Sequence, residues 1–376
     1  MPSPHTAVPP ARAQSLFILV VIACLIGTGC ATVQARPGNA LNRAEEVDAM
    51  TRAQVWRPTH VAAMDVRNGP QGDAAFAPGS TVRCRYVEKD QEGGTPKFTC
   101  VLGDDDLKVK YGPRNGEVYA EVAATRLLWA LGFGADAMYP VRVVCQGCPR
   151  RLHPDRWQST GEAVFEWAAV ERKMRGRELA GPEGDGWSWS DLDRADPTEG
   201  GAPQAHRDAL KLLAVMIQHT DSKREQQRLA CLDPRPQDVH ECARPFMLIN
   251  DLGKTFGKAN AFNRDGSGSV NLKAWRDTPV WRASNGCVGN LPKSVTGTLD
   301  NPVISEAGRR FLADLLTQLT DRQMRDLFAV ARFDARARNR GDDPESVQEW
   351  MDALKGKIGE VVSRDCTALA SAAERR

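Results

Sequence analysis

Several features are scarce in this sequence, and each scarcity closes off a reading. Its charges nearly cancel: 50 Lys and Arg stand against 48 Asp and Glu, a formal net charge of +2. Without a basic excess, no nucleic-acid partner is expected. No apolar run reaches the ~20 residues that a membrane-spanning helix needs; the candidate stretch covers residues 15–29. Cys145-Gln146-Gly147-Cys148 has no second Cys-x-x-Cys to match it, which argues against a structural zinc site. A Walker phosphate loop is missing too. Gly253-Lys254-Thr255 imitates its end, but Leu248 stands where the first glycine is required. Asn263-x-Asp265-x-Ser267-Gly268 begins like a calcium loop, yet Ala274 holds the place of the closing glutamate.

What is present starts at the N-terminus. Residues 1–14 are polar and carry Arg12; residues 15–29 are apolar; Gly27-Thr28-Gly29-Cys30 follows. A basic flank, a short apolar run and a small-residue exit make a secretory signal. A cysteine directly after the small residues resembles a bacterial lipobox, in which Cys30 would take the lipid and become the mature N-terminus. Gly27 departs from the leucine usual at that place. Cys24, after Val21-Ile22-Ala23, is the alternative, with a shorter apolar run before it. An uncleaved membrane anchor is the other reading. Ala31 stands where inner-membrane lipoproteins usually carry Asp. The expected location is therefore the cell envelope, lipid-anchored at the outer membrane.

With Cys24 and Cys30 set aside, eight cysteines remain: Cys84, Cys100, Cys145, Cys148, Cys231, Cys242, Cys287 and Cys366. An even number in an exported chain points to disulfides. Cys84 and Cys100 flank a hairpin turn, and Cys231 and Cys242 flank a polar loop, so these neighbours are expected to pair. Cys145 and Cys148 could bond locally, pair with other cysteines or serve redox chemistry.

The length suits about two domain-sized units. Residues 31–58 read as a tether leading into a short helix over 43–56. Residues 81–87 alternate around Val82, Cys84 and Tyr86, a strand pattern. The turn at 91–96, a returning strand over 97–102 and a third over 107–111 complete a meander. A helix is expected over 117–131, capped near Asn115 and ended by Gly132. Strands follow over 139–145 and 163–169. Trp187 and Trp189, in a long connection, read as packing anchors. The second half is mainly helical: a 3.6-residue stripe over 204–219, then helices starting after Ser305, after Thr320 and at Pro344, with strands over 228–232 and 246–250 between. Arg309, Arg310, Arg322, Arg325, Arg336 and Arg338 read as solvated helix faces. The expected class is α+β with two lobes: a signal over 1–30, a tether and extension over 31–78, a β-rich N-lobe over 79–170 and a helical C-lobe over 171–376.

Four short pieces carry the chemistry. Lys108 and Lys110 share one side of a strand, because strand side chains alternate with period two. Glu121 lies on a helix face with Ala124, Thr125 and Leu128, and a buried carboxylate needs a partner. An upstream strand lysine can supply it. His219-Thr220-Asp221 follows a helix directly, and a strand over 246–250 runs into Asp251-Leu252-Gly253. His219 is expected to hold its loop rather than ligate a metal. A Lys–Glu pair upstream of two acids at element ends is the phosphoryl-transfer arrangement of kinases, in which positioning and charge supply the rate.

These pieces resemble a known group. Residues 120–133, AEVAATRLLWALGF, are similar to the glutamate-bearing helix of secreted Golgi casein kinases and HipA-like kinases. His219-Thr220-Asp221 resembles their catalytic loop, and LINDLGKTFG over 248–257 their magnesium-binding segment. CotH spore-coat kinases are a further relative. The resemblance spans about 81–258 and implies a protein-kinase-like fold using ATP or another nucleotide with Mg²⁺ or Mn²⁺. It makes Lys110 the nucleotide lysine, with Lys108 as second choice, and Glu121 its partner. Asp221 becomes the proton acceptor and Asp251 the metal ligand, with the Gly93-Gly94 turn over the phosphates. Five residues after Asp221, where the family has Asn or Glu, stands Gln226, a weaker metal ligand through its carbonyl. The expected acceptor is a protein or glycan hydroxyl. The alternative is a pseudokinase serving as an envelope binding module, and transfer of the nucleotide itself is a third course.

Overall fold

The computed structural model describes residues 40–367 apart from 92, 153–160, 183, 185, 234–240, 258–268, 284–285 and 341–344. Cys24, Cys30, the calcium-loop imitation at 263–268 and Pro344 fall outside the described residues. Gly38–Arg376 forms one unit, and it is a mixed α/β chain. In order come α1 (Arg43–Arg52), β1 (Thr81–Val87), β2 (Lys97–Leu102), β3 (Asp105–Tyr111), α2 (Glu117–Ala130), β4 (Ala137–Gln146), β5 (Glu162–Arg172), β6 (Arg177–Glu178) and α3 (Gln204–Met216). Then follow β7 (Gln227–Cys231), β8 (Pro245–Ile249), α4 (Leu272–Asp277), α5 (Glu306–Leu316), α6 (Asp321–Val330), α7 (Phe333–Arg340) and α8 (Val347–Ser363).

The meander of β1, β2 and β3 does not stop at three strands. β5 pairs antiparallel with β3, β4 pairs with β5, and β4 closes on β1 in parallel, giving a closed barrel. That closure joins segments far apart in sequence, so local alternation could not announce it. Val82, Phe98, Leu107, Val109, Val143 and Phe165 belong to the barrel core. With Leu107 and Val109 turned inward, the pleat sends Lys108 and Lys110 to the other face. There α2 packs against β3, β4 and β5.

Every residue of α2 except Trp129 is buried. A helix covered on all sides is a core element. The Asn115 carboxamide oxygen accepts from the Glu117 amide at 3.1 Å, near the expected cap. Gly132 ends the helix at φ +89°, where a Cβ would lie 2.2 Å from the Arg57 carbonyl, so only glycine fits.

β6, β7 and β8 form a separate antiparallel sheet. Ile249 of β8 accepts a hydrogen bond from the Asp136 amide at 3.2 Å, which ties the end of β8 to the residue just before β4. The short helix and extension expected after the tether contribute Met50, Ala53, Val55 and Val61 to the main core. The side chains of Ser305, Thr320 and Ser346 cap α5, α6 and α8. Losing such a cap costs about 1 kcal/mol. The third helix therefore opens at Ser346 rather than at Pro344.

One expectation fails. Arg310, Arg322, Arg325 and Arg338 are exposed, but Arg309 and Arg336 are buried. Arg309 bonds the Val361 and Val362 carbonyls at 3.0 and 3.1 Å and Glu306 at 2.8 Å, locking α5 to the end of α8. Arg336 lies over the Tyr119 ring at 6.0 Å. Arginine can be buried where carbonyls, a carboxylate or a ring replace water. Trp187 and Trp189 are buried edge-to-face at 5.3 Å, as packing anchors should be. The eight cysteines pair as Cys84–Cys100, Cys145–Cys148, Cys231–Cys242 and Cys287–Cys366. The two flanking pairs are those expected. The Cys-x-x-Cys closes locally, and Cys287 with Cys366 staples the chain behind α8.

Candidate active site

Lys110 is fully buried and surrounded by acids. Its Nζ lies 2.6 Å from Glu121 Oε1, 3.0 Å from Glu117 Oε2 and 3.1 Å from Asp251 Oδ2. Glu117 and Glu121 are one helical turn apart, so α2 presents both on one face. Asp251 arrives from the end of β8. Gly253 permits the approach: a Cβ there would stand 2.6 Å from Glu117 Cγ. Glu117 also takes a hydrogen bond from the Thr95 hydroxyl at 2.5 Å and an ion pair from Lys254 at 3.0 Å. Lys108, the second lysine of β3, is directly opposite Glu171 on β5 and pairs with it at 2.7 Å.

Protonation follows from this crowding. Burial pushes the Glu121 carboxyl far up, and neighbouring Asp251 adds to it against the pull of Lys110. Glu121 Oε2 has no donor facing it. Protonated, the Glu121 carboxyl can hydrogen-bond Asp251. Burial also opposes ionisation of Asp251, but Lys110, the Glu121 hydrogen bond, Lys108 and the Gly253 amide outweigh it and hold Asp251 well below the usual carboxylate range. Glu117 is lowered in the same way: Lys110, Lys254 and Thr95 overcome burial and the repulsion of Asp251. Burial pulls Lys110 down, yet Asp251, Glu121 and Glu117 together raise it well above an ordinary lysine.

The loop after α3 forms the other wall. The Thr220 amide donates to the Lys254 carbonyl at 3.0 Å, and the Asn250 amide to the Gln226 carbonyl at 3.0 Å. These bonds zip residues 220–226 against 250–254. Asp221 is only partly buried, and its carboxylate accepts from Gln226 Nε2 at 3.1 Å. Burial foremost, with Asp251 adding, raises its pKa. Gln226 thus contacts Asp221 through its amide nitrogen. His219 is fully buried with neither ring nitrogen hydrogen-bonded, and burial pushes it down to about 4. It packs near Trp189, ring centroids 6.2 Å apart, so it supports the loop by packing.

A cavity of roughly 1300 Å³ lies between these walls. Gly93, Gly94, Lys97, Lys108, Glu117, Asp221, Gln226 and Asp251 line it. Lys110 and Glu121 stand behind this lining, buried at 0% and 1% exposure. Sequence reasoning missed Glu117, Lys254, Thr95 and Lys97. The four-residue spacing of Glu117 from Glu121 was the available signal for the first. A smaller hollow of about 310 Å³ lies along α8 beside Arg276. Its Lys357 already donates to the Arg276 and Thr278 carbonyls. Carboxylate oxygens of Glu117, Glu121 and Asp251 lie within 4.8 Å of one another, an all-oxygen set suited to a hard divalent cation such as Mg²⁺ or Mn²⁺. Cys231, Asp233 and Cys242 also cluster, but both sulfurs are in a disulfide.

No family model and no curated protein matches the chain. Among solved structures, the crystal structure of a Helicobacter pylori proinflammatory kinase, CtkA, matches 79% of this chain and 99% of that chain, with 10% identity and a TM-score of 0.38.

Proposed function

We propose that this protein is a kinase-like phosphotransferase with two lobes around the 1300 Å³ cavity. One observation carries the reading. Lys110 and Glu121 bond at 2.6 Å behind a cavity whose lining holds both Asp251 and Asp221. A nucleotide would lie under the Gly93-Gly94 turn with its phosphates toward Lys108. Asp251 and Glu117, the ionised members of the acidic cluster that line the cavity, are the residues that would hold Mg²⁺ or Mn²⁺, which when bound neutralises phosphate charge. Asp221 would accept the proton of an acceptor hydroxyl as the new oxygen–phosphorus bond forms and the donor's terminal phosphoanhydride bond breaks, releasing the nucleoside diphosphate. Gln226 keeps the Asp221 carboxylate oriented. Lys110 keeps the three acids together although two of them are ionised, a positioning task that preorganises charge before the ligand arrives.

We further propose that the chain is exported, lipid-anchored through Cys30 or Cys24, and acts on a protein or glycan at the outer membrane. Labelled palmitate that stays off the wild type and off the Cys30→Ala and Cys24→Ala variants alike ends the lipid proposal. For the activity, the purified protein is incubated with labelled ATP, Mn²⁺ and envelope extract. Transfer that disappears in Asp251→Ala is expected. No transfer, or transfer unaffected by Asp251→Ala, contradicts the reading. Gln226 in place of Asn or Glu favours a second reading, a binding module without turnover. That reading predicts nucleotide binding with no transfer.

A further inference from the structure

The two lysines assigned to phosphate, and Lys254 beside them, are already neutralised. Lys110 is enclosed by Glu117, Glu121 and Asp251, Lys254 is paired with Glu117 at 3.0 Å, and Lys108 is paired with Glu171 at 2.7 Å. Lys110 is also shut off from the cavity, at 0% exposure. A neutral wall has little to offer an anion. Lys97 differs. It lines the cavity, as Lys108 and Lys254 do, but none of these ion pairs includes it. Its Nζ lies 3.3 Å from where a Cβ on Gly93 would be, beneath the glycine turn. Arg114 and Lys223 also line the cavity; Arg114 is exposed, while Lys223 adjoins the Asp221 loop.

The pairing of the strands makes Lys97 stand out further. It is directly opposite Lys110 across β2 and β3, with Lys108 one pair further along the same face. Like charges facing each other across strands destabilise a sheet. Burial and the two neighbouring lysines lower the Lys97 pKa, outweighing Asp251 and Glu117, which raise it. A cation kept at that cost, half-buried and aimed into a cavity, fits a ligand that supplies the missing negative charge.

We propose that Lys97 is the anion-binding residue of the cavity and grips a phosphate of a polyphosphate-bearing ligand beneath the Gly93-Gly94 turn. This rests on the nucleotide reading for the identity of the ligand, but not for the charge. The experiment is calorimetric titration of the full-length protein with ATP plus Mn²⁺ and, separately, with inorganic tripolyphosphate. Wild type is compared with Lys97→Met and Lys97→Arg. Lys97→Met should weaken both ligands at least tenfold and Lys97→Arg by less than threefold. Without ligand, Lys97→Met should melt no lower than wild type, because it relieves repulsion with Lys110. That arm excludes misfolding as the cause. Tripolyphosphate binding that depends on Lys97, with no ATP binding, supports this proposal and sinks the nucleotide reading. ATP binding unchanged in Lys97→Met does the reverse. Binding of neither ligand by the wild type overturns both.

Discussion

The two walls of the cavity are built on opposite terms. The wall of β3 and α2 is sealed: Lys110 and Glu121 are fully buried, and Lys110 is enclosed by three carboxyl groups. The wall formed by the loop after α3 is open: Asp221 is partly exposed, and Gln226 holds it by a single hydrogen bond. The sealed wall stores position, since removing one member of a buried ionic group leaves the others uncompensated. The open wall keeps a carboxylate of raised pKa within reach of solvent and the cavity. Structure and chemistry are thereby separated, with Asp251 the residue that belongs to both.

The sharpest way to break that division is Asp221→Asn. Turnover should fall by about 10²–10⁴, the usual contribution of a positioned general base, while the melting temperature stays put. A matching loss of stability would show that the open wall is structural after all. Next comes Lys110→Met on the sealed side. Urea denaturation should show a loss of about 3–5 kcal/mol, because three acids are left without their cation.

His219 offers a pH test between the walls. Its pKa falls from 6.5 to about 4 on burial, so the folded protein keeps the ring neutral while the unfolded chain protonates it below 6.5. The unfolded state then binds more protons, and stability rises with pH over that window. The contribution is complete above pH 6.5 and lost as pH falls to 4, about 3 kcal/mol in all. In His219→Leu the difference in unfolding free energy between pH 7 and pH 4 should shrink by about that amount. An unchanged difference would mean that the ring is hydrated.

The smallest effect is expected at Glu121→Gln. Burial already favours the protonated acid there, and the amide imitates it. The stability change should stay below about 1 kcal/mol, far under that of Lys110→Met. A larger loss would mean that Glu121 is ionised.

The same contrast governs what could be read from the sequence. Lys110, Glu121 and the strands around them were legible because period two and period 3.6 convert spacing into a shared face. Asp251 was legible because a strand running into Asp-x-Gly is a local signal. Closure of the barrel was not, since it depends on β1 meeting β4 across the intervening hairpin and α2. Nor were the buried arginines. Arg126 is wholly buried, donating to the Met138 carbonyl and lying 5.8 Å from the Tyr139 ring centre. Charge in a sequence reads as solvent-facing until tertiary carbonyls and rings are known. Glu117 was overlooked for the same reason, standing at a helix start where acids are commonplace. Gln226 was read for its carbonyl oxygen, and its contact with Asp221 came only with the fold of the loop.

The central claim is that the sealed wall presents a metal-dependent nucleotide site to the open one. Calorimetry of the full-length protein with ATP, with and without Mn²⁺, tests it most directly. The account predicts one-to-one binding that requires the metal and is lost in Asp251→Ala. Binding that is indifferent to both Mn²⁺ and Asp251, or no binding at all, would contradict it.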